Sequence, residues 1–302
     1  MKEDLFPSYL SVYKQDKLEE KIEELNKIVS CCTLCPRRCK VDRLKGEKGF
    51  CGVGKEAVVS SAFPHFGEES CLVGKHGSGT IFFSHCNLKC IFCQNYEISH
   101  LAEGKEVTAE ELAEYMLQLQ NMDCHNINLV TPTHFAPQIL SALKIAIEEG
   151  LSLPLVYNCG GYESEEVIAL LAGVVDIYMP DAKFASSEVA EKLCNTADYF
   201  PNLKKVLKQM HQQVGDLEIV DGIAKRGLLI RHLVMPDGLA GTRQISEFIA
   251  KELSLNTYIN IMDQYRPCGE AFKSLEINRS ITTKEYLEAI EIARSFGLHR
   301  FD

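Results

Sequence analysis

The chain has 302 residues and a mass of 33.9 kDa, which is enough for one large domain or two ordinary ones with a substantial core. Its 46% hydrophobic and 25% charged residues are typical of a folded globular protein and exclude a collagen, a mini-protein and an extensively disordered chain. The net charge of −10 argues against a protein whose main task is to bind nucleic-acid phosphates or anionic lipid.

The cysteine content and the lack of long apolar segments indicate in which cellular compartment the protein works. Thirteen cysteines are about 4% of the chain, against roughly 8–10% in disulfide scaffolds. Residues 1–17 contain no apolar signal core, and no uninterrupted apolar stretch approaches the ~20 residues of a membrane helix. We therefore expect a cytoplasmic protein that binds neither nucleic acid nor membrane, and whose clustered thiols bind metals rather than form disulfides.

The first predicted elements form an N-terminal leader, residues 1–78. Apolar residues three or four positions apart predict an amphipathic helix over residues 16–30. From Cys31 to about Gly79 the sequence has little periodicity and is rich in Gly, Cys and turn residues, which predicts loops and small strands with a short linker near residues 60–78. We expect a bound metal to stabilise this segment in place of a large core.

Four cysteines of the leader have the spacing of a metal site. Cys32, Cys35, Cys39 and Cys51 follow the pattern C-x2-C-x3-C-x11-C, and Cys31 is left over. Four thiolates fit either tetrahedral zinc or a closed iron–sulfur cluster. We prefer zinc slightly, because short spacings within a Gly-rich loop resemble structural zinc ribbons.

Residues 79–302 alternate short apolar runs with helical patterns and end in a helix. The runs lie at residues 80–85, 126–130, 153–158, 174–179, 227–234 and 257–262. Thr108 with Glu111, and Thr282 with Glu285, have capping-box spacing at the starts of two helices. Six strands in this arrangement predict right-handed parallel β/α units. The expected fold is therefore α/β, a partial (β/α)6 barrel with reactive loops at the carboxyl ends of its strands.

The loop after the first of these strands carries a second cysteine group. Cys86, Cys90 and Cys93 follow the pattern C-x3-C-x2-C. Three thiolates can bind a four-iron cluster and leave one iron free for a small chelating molecule. The alternatives are a zinc site completed by His85 or His100, and reduced thiols without a metal.

This segment resembles the radical S-adenosylmethionine (SAM) superfamily, whose signature is the same spacing with an aromatic residue, here Phe92, before the last cysteine. The resemblance covers residues 79 to about 265 and is closest to a group labelled pyruvate formate-lyase activating enzyme-like. It implies a TIM-like radical SAM barrel that binds a [4Fe-4S] cluster and SAM. It also implies reductive cleavage of SAM to a 5′-deoxyadenosyl radical, which takes hydrogen from a substrate. A flavodoxin or ferredoxin would supply the electron.

The resemblance leaves several substrates open. A protein or peptide backbone, with a protein glycine as in the activases, is the leading expectation. A small metabolite is the alternative within the same chemistry. The third interpretation is a non-catalytic protein with two metal sites that carries electrons or docks partners.

The resemblance also implies SAM-binding positions at the ends of successive strands. Where relatives carry a GGE-like turn after the second strand, this chain has Thr131, Thr133 and His134, and His134 could equally cap the following helix. Arg231 is expected to point into the barrel in preference to His232, because neighbours in a strand alternate in direction. The implied cofactor-binding residues are Phe92, Asn158, Asp181, Lys183, Arg231 and Gln264, with Tyr265 as an alternative to Gln264.

Some polar residues and cysteines fall outside these motifs. The segment HFGEE places His65, Glu68 and Glu69 before the barrel, where they could move protons or form an exposed turn. The scattered cysteines are expected to be small buried residues, with Cys268, in the loop after the last barrel strand, as the best candidate for a further ligand; they are Cys71, Cys124, Cys194 and Cys268.

Overall fold

A ten-stranded sheet organises the chain in the computed structural model, which describes residues 6–302. The strands are β1 (Ala57–His65), β2 (Ser78–Phe83), β3 (Lys105–Val107), β4 (Ile127–Val130), β5 (Leu155–Cys159), β6 (Ile177–Pro180), β7 (Glu218–Val220), β8 (Ile223–Leu233), β9 (Tyr258–Met262) and β10 (Arg300–Phe301). Their order in the sheet is β10-β9-β8-β6-β5-β4-β2-β1-β3, and β7 pairs with β8 outside this path.

Helices connect these strands. They are α1 (Tyr9–Lys14), α2 (Lys17–Val29), α3 (Ser70–Val73), α4 (Tyr96–Ser99), α5 (Ala109–Asn121), α6 (Ala136–Glu148), α7 (Glu165–Leu170), α8 (Ser187–Cys194), α9 (Tyr199–Val214), α10 (Thr242–Glu252) and α11 (Thr283–Ser295). Both predicted capping boxes are present, at the starts of α5 and α11. Within residues 6–302, no helix has both the length and the apolar character that crossing a membrane requires.

The six predicted barrel strands are present and parallel. β2, β4, β5, β6, β8 and β9 pair with one another in this order, and the two-residue β10 adds a further parallel strand beside β9. The prediction of an α/β fold with a partial barrel is therefore confirmed. Because the strands are parallel and joined by crossover helices, their carboxyl ends all lie at one edge of the sheet.

The leader packs against the barrel. α2 is the helix predicted over residues 16–30, and its buried Leu18 and Leu25 belong to the main core. It lies against α6 and α7 of the barrel. Residues 30–56 contain turns and a single 3-10 turn at Arg43–Lys45, in agreement with the prediction of loops in this segment.

The segment expected to be a linker belongs to the sheet. β1 extends to His65 and pairs antiparallel with β2, and α3 follows it at Ser70. The prediction of a linker near residues 60–78 is therefore wrong. β1 has little sequence signal, because it contains two serines and a proline, yet it pairs with the otherwise open edge of β2. The boundary between residues 78 and 79 thus falls inside β2, which pairs with β1 in one sheet.

Candidate functional site

The parallel strands surround a cavity of about 380 Å³. Side chains at the carboxyl ends of β2, β4, β5, β6, β8 and β9 line it, and the segment after β1 closes its inner end. Its volume is in the range of small-molecule sites. Nine of the predicted site residues line this cavity, namely Cys86, Cys90, Phe92, Cys93, Asn158, Asp181, Lys183, Arg231 and Gln264.

The three cysteines Cys86, Cys90 and Cys93 lie on the loop between β2 and α4, which we call the radical loop (residues 84–95). Burial raises the pKa of Cys86 to about 12, so the metal-free thiol is neutral and loses its proton only on binding a metal. A four-iron cluster is wider than one ion, because each thiolate binds a different iron. Three thiols arranged around a cavity fit such a cluster.

Hydrogen-bond donors point at the sulfur atoms of the radical loop. The backbone N–H of Leu88 donates to Cys86 Sγ at 3.3 Å, and the hydroxyl of Ser99 donates to Cys93 Sγ at 3.2 Å. Bonds of this kind stabilise the anionic thiolate, the form that binds iron. The loop is therefore arranged to hold negatively charged sulfur.

Neither histidine of the zinc alternative completes a site. His100 stacks on Tyr96 at 4.2 Å between ring centroids and bonds Ser99 through Nδ1, while the ring of His85 bonds the backbone of Cys51. Within residues 6–302, no three His, Cys, Asp or Glu side chains are grouped so as to hold a single metal ion. The contacts of the two histidines therefore give no support to the interpretation of the radical loop as a zinc site.

Phe92 and Gln264 contribute two further parts of the cavity wall. Phe92 is buried and stands edge-on to Phe184 and Tyr265, with centroid distances of 5.7 and 6.2 Å. This aromatic group keeps water from one side of the cysteines. The backbone oxygen of Gln264 accepts a hydrogen bond from Gln94 Nε2 at 3.1 Å, which ties the end of β9 to the radical loop.

A network of charged side chains crosses the cavity. Lys183 Nζ donates to Asp181 Oδ2 at 2.6 Å, and Arg231 Nε donates to Asp181 Oδ1 at 2.8 Å. Arg231 also donates to Asn158 Oδ1 at 2.7 Å and lies 3.5 Å from Glu68 Oε2. Burial would raise the pKa of Asp181, but the cations of Arg231 and Lys183 outweigh it and hold the pKa below its usual range.

The inward direction of Arg231 is confirmed. His232, the next residue of β8, points the other way into the core, where Nδ1 bonds the backbone oxygen of Ala182 at 2.7 Å and Nε2 bonds Thr242 Oγ1 at 2.9 Å. Alternation along the strand therefore places only the arginine in the cavity.

The segment after β1 is not an exposed turn at its acidic residues. Glu68 and His65 line the inner end of the cavity, and Glu69 is buried with Oε1 accepting a bond from Asn260 at 3.0 Å. Burial raises the pKa of Glu68 to about 7, although Arg231 acts in the opposite direction. Glu68 can therefore take up or release a proton near neutral pH.

The three predicted residues of the turn after β4 have different surroundings. Thr131 lines the cavity, and Thr133 donates to Glu163 Oε1 at 2.8 Å. His134 donates from Nε2 to the backbone oxygen of Ser84 at 3.0 Å, and burial lowers its pKa to about 3. It neither caps α6 nor lines the cavity, so both interpretations of His134 are wrong.

Two residues of the site region were missed by the sequence analysis. Cys194, at the end of α8, has its Sγ 3.0 Å from Cys90 Sγ, and no spacing in the sequence connects the two. Glu163 is fully buried and accepts bonds from Thr133, which follows β4, and from Tyr157 on β5, the latter at 3.1 Å. Its position just after β5 was a usable signal, because functional residues follow the carboxyl ends of barrel strands.

The four leader cysteines border a second, smaller cavity. Cys32, Cys35, Cys39 and Cys51 line it, whereas Cys31 is exposed. No residue lines both cavities. Cys268, the other candidate ligand, lines neither of them.

A match to a protein-family model includes the radical loop. A family model described as the radical SAM superfamily matches residues 80–224. The pyruvate formate-lyase-activating enzyme of Clostridium pasteurianum is 32% identical over 108 residues, which are 33% of this chain and 45% of that enzyme.

Longer similarity extends to two proteins of Methanocaldococcus jannaschii. The uncharacterised protein MJ0674 is 36% identical over 96% of this chain and 82% of its own length. The uncharacterised protein MJ0808 is 25% identical over 88% of this chain and 81% of its own length. Among solved structures, methylornithine synthase (PylB) superposes with a TM-score of 0.48 and 16% identity, covering 74% of this chain and 63% of that one.

From the burial of the Glu163 carboxyl group we expect a specific dependence of stability on pH. Burial raises its pKa from a usual value of 4.5 to about 7. Between these values the unfolded chain has lost the proton that the folded protein keeps, so the free energy of unfolding falls as the pH rises, by about 3 kcal/mol in total. We expect Glu163→Gln to remove this part of the slope in chemical denaturation between pH 4.5 and 7.

The exposed Glu188→Gln variant is the matched control and should keep the wild-type slope. Parallel stability curves for wild type and Glu163→Gln over this range would show that Glu163 does not retain its proton in the folded protein.

Proposed function

The chain belongs to the radical SAM superfamily, and we propose that it cleaves SAM reductively at a [4Fe-4S] cluster bound by Cys86, Cys90 and Cys93. Cleavage yields a 5′-deoxyadenosyl radical that abstracts hydrogen from a substrate. The observation that carries the proposal is the shared cavity: the three thiols border the same space as the charged network at the ends of β5, β6 and β8.

For SAM, we propose that the charged network supplies the polar contacts. Asp181 can bind the positively charged amino group of SAM, and Lys183 and Arg231 can bind its carboxylate. Hydrogen bonds between oppositely charged groups are stronger than those between neutral groups. Asn158 and Gln264 add neutral hydrogen-bond groups. Phe92 closes one side of the cysteines to solvent and to the dissolved hydrogen donors that would quench a reactive radical.

For the substrate, we propose a protein or peptide backbone, with a glycine as the reacting residue. The partial similarity to a pyruvate formate-lyase-activating enzyme supports this choice, although it extends over only a third of the chain. A small polar metabolite is the second candidate. It is favoured by Glu68 and His65, which present acid and base groups inside the cavity where a small molecule would be enclosed.

One experiment separates these substrates. The anaerobically reconstituted protein is given SAM and a low-potential donor, flavodoxin or ferredoxin, together with either the protein fraction or the small-molecule fraction of a cell extract. Stimulation of 5′-deoxyadenosine formation by the protein fraction alone supports a backbone substrate. Stimulation by the small-molecule fraction alone contradicts it. Without any 5′-deoxyadenosine, the chain would be a non-catalytic metal or electron-transfer protein.

Each radical-loop cysteine is expected to be essential. Cys86→Ala, Cys90→Ala and Cys93→Ala should each abolish 5′-deoxyadenosine formation and remove about four iron atoms per chain, because two thiolates are too few to hold the cluster. Chromatography of the product and iron analysis provide the measurements. The buried Cys124→Ala variant, which lines neither cavity, should behave as wild type. Full cleavage by any one of the three variants would refute the ligand assignment.

Asp181 and Lys183 are expected to bind SAM without binding iron. Loss of a charged hydrogen bond costs about 1.5–3 kcal/mol, so Asp181→Asn and Lys183→Ala should each weaken SAM binding by roughly tenfold to a hundredfold. Iron content should not change. Calorimetry on the reconstituted variants tests this, with the exposed Lys192→Ala as control. Wild-type affinity in both variants would contradict the assignment of these residues to SAM binding.

A further inference from the structure

The smaller cavity lies among the leader loops and has no place in the proposed SAM chemistry. Cys32, Cys35, Cys39 and Cys51 border it together with the buried Arg43. The four thiols come from one loop segment of the leader, residues 31–54, and enclose a space that the radical loop does not enter with any cysteine.

Backbone donors point at the sulfur atoms of this cavity, as they do in the radical loop. Cys35 and Cys51 each accept an N–H bond from the residue two positions further on, and Cys39 accepts one from the backbone at 3.4 Å. Cys86 and Cys93 of the radical loop accept bonds from the residue two positions further on in the same way. Backbone N–H groups directed at sulfur in this manner stabilise anionic, metal-bound thiolates.

Arg43 is a buried cation beside the same four thiols. It is 1% exposed, with Nε donating to the backbone oxygen of Gly54 at 2.9 Å and Nη1 to that of His134 at 2.7 Å. Its Nη2 has no hydrogen-bond partner, and both hydrogen bonds of its guanidinium in the described part of the chain go to backbone oxygens and not to a carboxylate. A buried cation without a counter-anion is strongly unfavourable, so the structure calls for a negative charge in the cavity that Arg43 lines.

The arrangement of the thiols around the smaller cavity favours a cluster over a single ion. Within residues 6–302, no three suitable side chains are grouped to hold one ion, and this holds for the leader cysteines as it does for the radical loop. The preference for zinc in the leader is therefore not supported. An iron–sulfur cluster fits a set of thiols spread around a cavity, because each sulfur binds a different iron.

We propose that Cys32, Cys35, Cys39 and Cys51 bind a second iron–sulfur cluster and that Arg43 is its buried counter-cation. Four thiolates and a four-iron core together carry a net negative charge, part of which the guanidinium offsets. All four irons have a protein ligand, so this cluster offers no open position to SAM. The inference stands apart from the proposed function, because it concerns residues outside the SAM cavity.

The leader cysteines are linked to the radical loop by Arg37. Arg37, between two of the leader cysteines, donates from Nε to the backbone oxygen of Asn87 at 2.9 Å and from Nη2 to that of Cys194 at 3.2 Å. Asn87 follows Cys86 directly, and the thiol of Cys194 touches Cys90. The leader cluster therefore lies behind the radical loop and holds the segment that anchors it.

Metal and sulfide analysis of three full-length proteins, reconstituted anaerobically with iron and sulfide, tests the proposal. Wild type should bind about eight irons and eight sulfides, four of each per cluster. The triple variant Cys86→Ala, Cys90→Ala, Cys93→Ala should keep about half of both. Its electron paramagnetic resonance spectrum in the reduced state should not change when SAM is added. The exposed Cys31→Ala variant is the matched control and should retain the wild-type content.

These measurements test the leader cluster separately from the proposed function, because none of them requires the protein to cleave SAM. A triple variant that binds zinc without sulfide, or no metal, would overturn the cluster assignment even if the wild type cleaves SAM. Cys35→Ser should lower iron and sulfide while leaving SAM binding at the radical loop intact. A Cys35→Ser protein with unchanged metal content and unchanged resistance to proteolysis would overturn it as well.

Arg43 is tested through the reduction potential of the leader cluster, measured in the triple variant background. Arg43→Met should shift the potential downward, because removal of a neighbouring positive charge disfavours addition of an electron. Arg43→Lys keeps the charge, so its potential should lie close to that of the unsubstituted Arg43. If Arg43→Met does not fold, the Lys variant still tests the proposal, since it must retain the cluster. The exposed Arg294→Met is the control. An unshifted potential in Arg43→Met would contradict the assignment of Arg43.

Discussion

A carboxylate held between two cations, Asp181 between Lys183 and Arg231, is the interaction on which the interior of the barrel depends. Charges inside a protein are tolerated only when they are paired, and removal of one partner leaves another charge buried and unpaired. Arg231 therefore does more than line the cavity. Its guanidinium reaches from β8 to Asp181 after β6 and to Asn158 on β5, so it links the ends of three strands. Polar groups held in this way keep the interior open, where apolar side chains would fill a closed barrel.

The inner end of the cavity depends on a segment that precedes the barrel. A partial barrel leaves the edge of β2 unpaired, and β1 covers it by antiparallel pairing. The same pairing directs the chain after His65 beneath the open interior, where Glu68 reaches Arg231. Edge protection therefore comes from β1, and Glu68, the fourth charged member of the network, comes from the segment that directly follows it. For this reason the leader and the barrel share both a sheet and a site.

The sequence predicts those parts of the site that lie on periodic elements. The six parallel strands have apolar runs of clear length, and residues just after them, such as Asp181, converge because parallel strands end at one edge. Contacts between distant loops have no such signal. Cys194 is 104 positions from Cys90, and only the packing of α8 brings the two thiols together. Glu68 was readable as an acid but not as a cavity residue, since β1 has little strand signal and its pairing partner is set by the tertiary fold.

The radical loop has little regular structure of its own, so its conformation depends on contacts with the leader. Its backbone takes left-handed conformations at His85 and Lys89, which are unfavourable unless surrounding contacts hold them. Arg37 provides such a contact through Asn87, and His85 provides another through the backbone of Cys51. Because these contacts originate between or at the leader cysteines, whatever orders the leader also lowers the number of conformations open to the radical loop. A metal in the smaller cavity would therefore favour, by linkage, the loop shape in which the radical-loop thiols face the larger cavity.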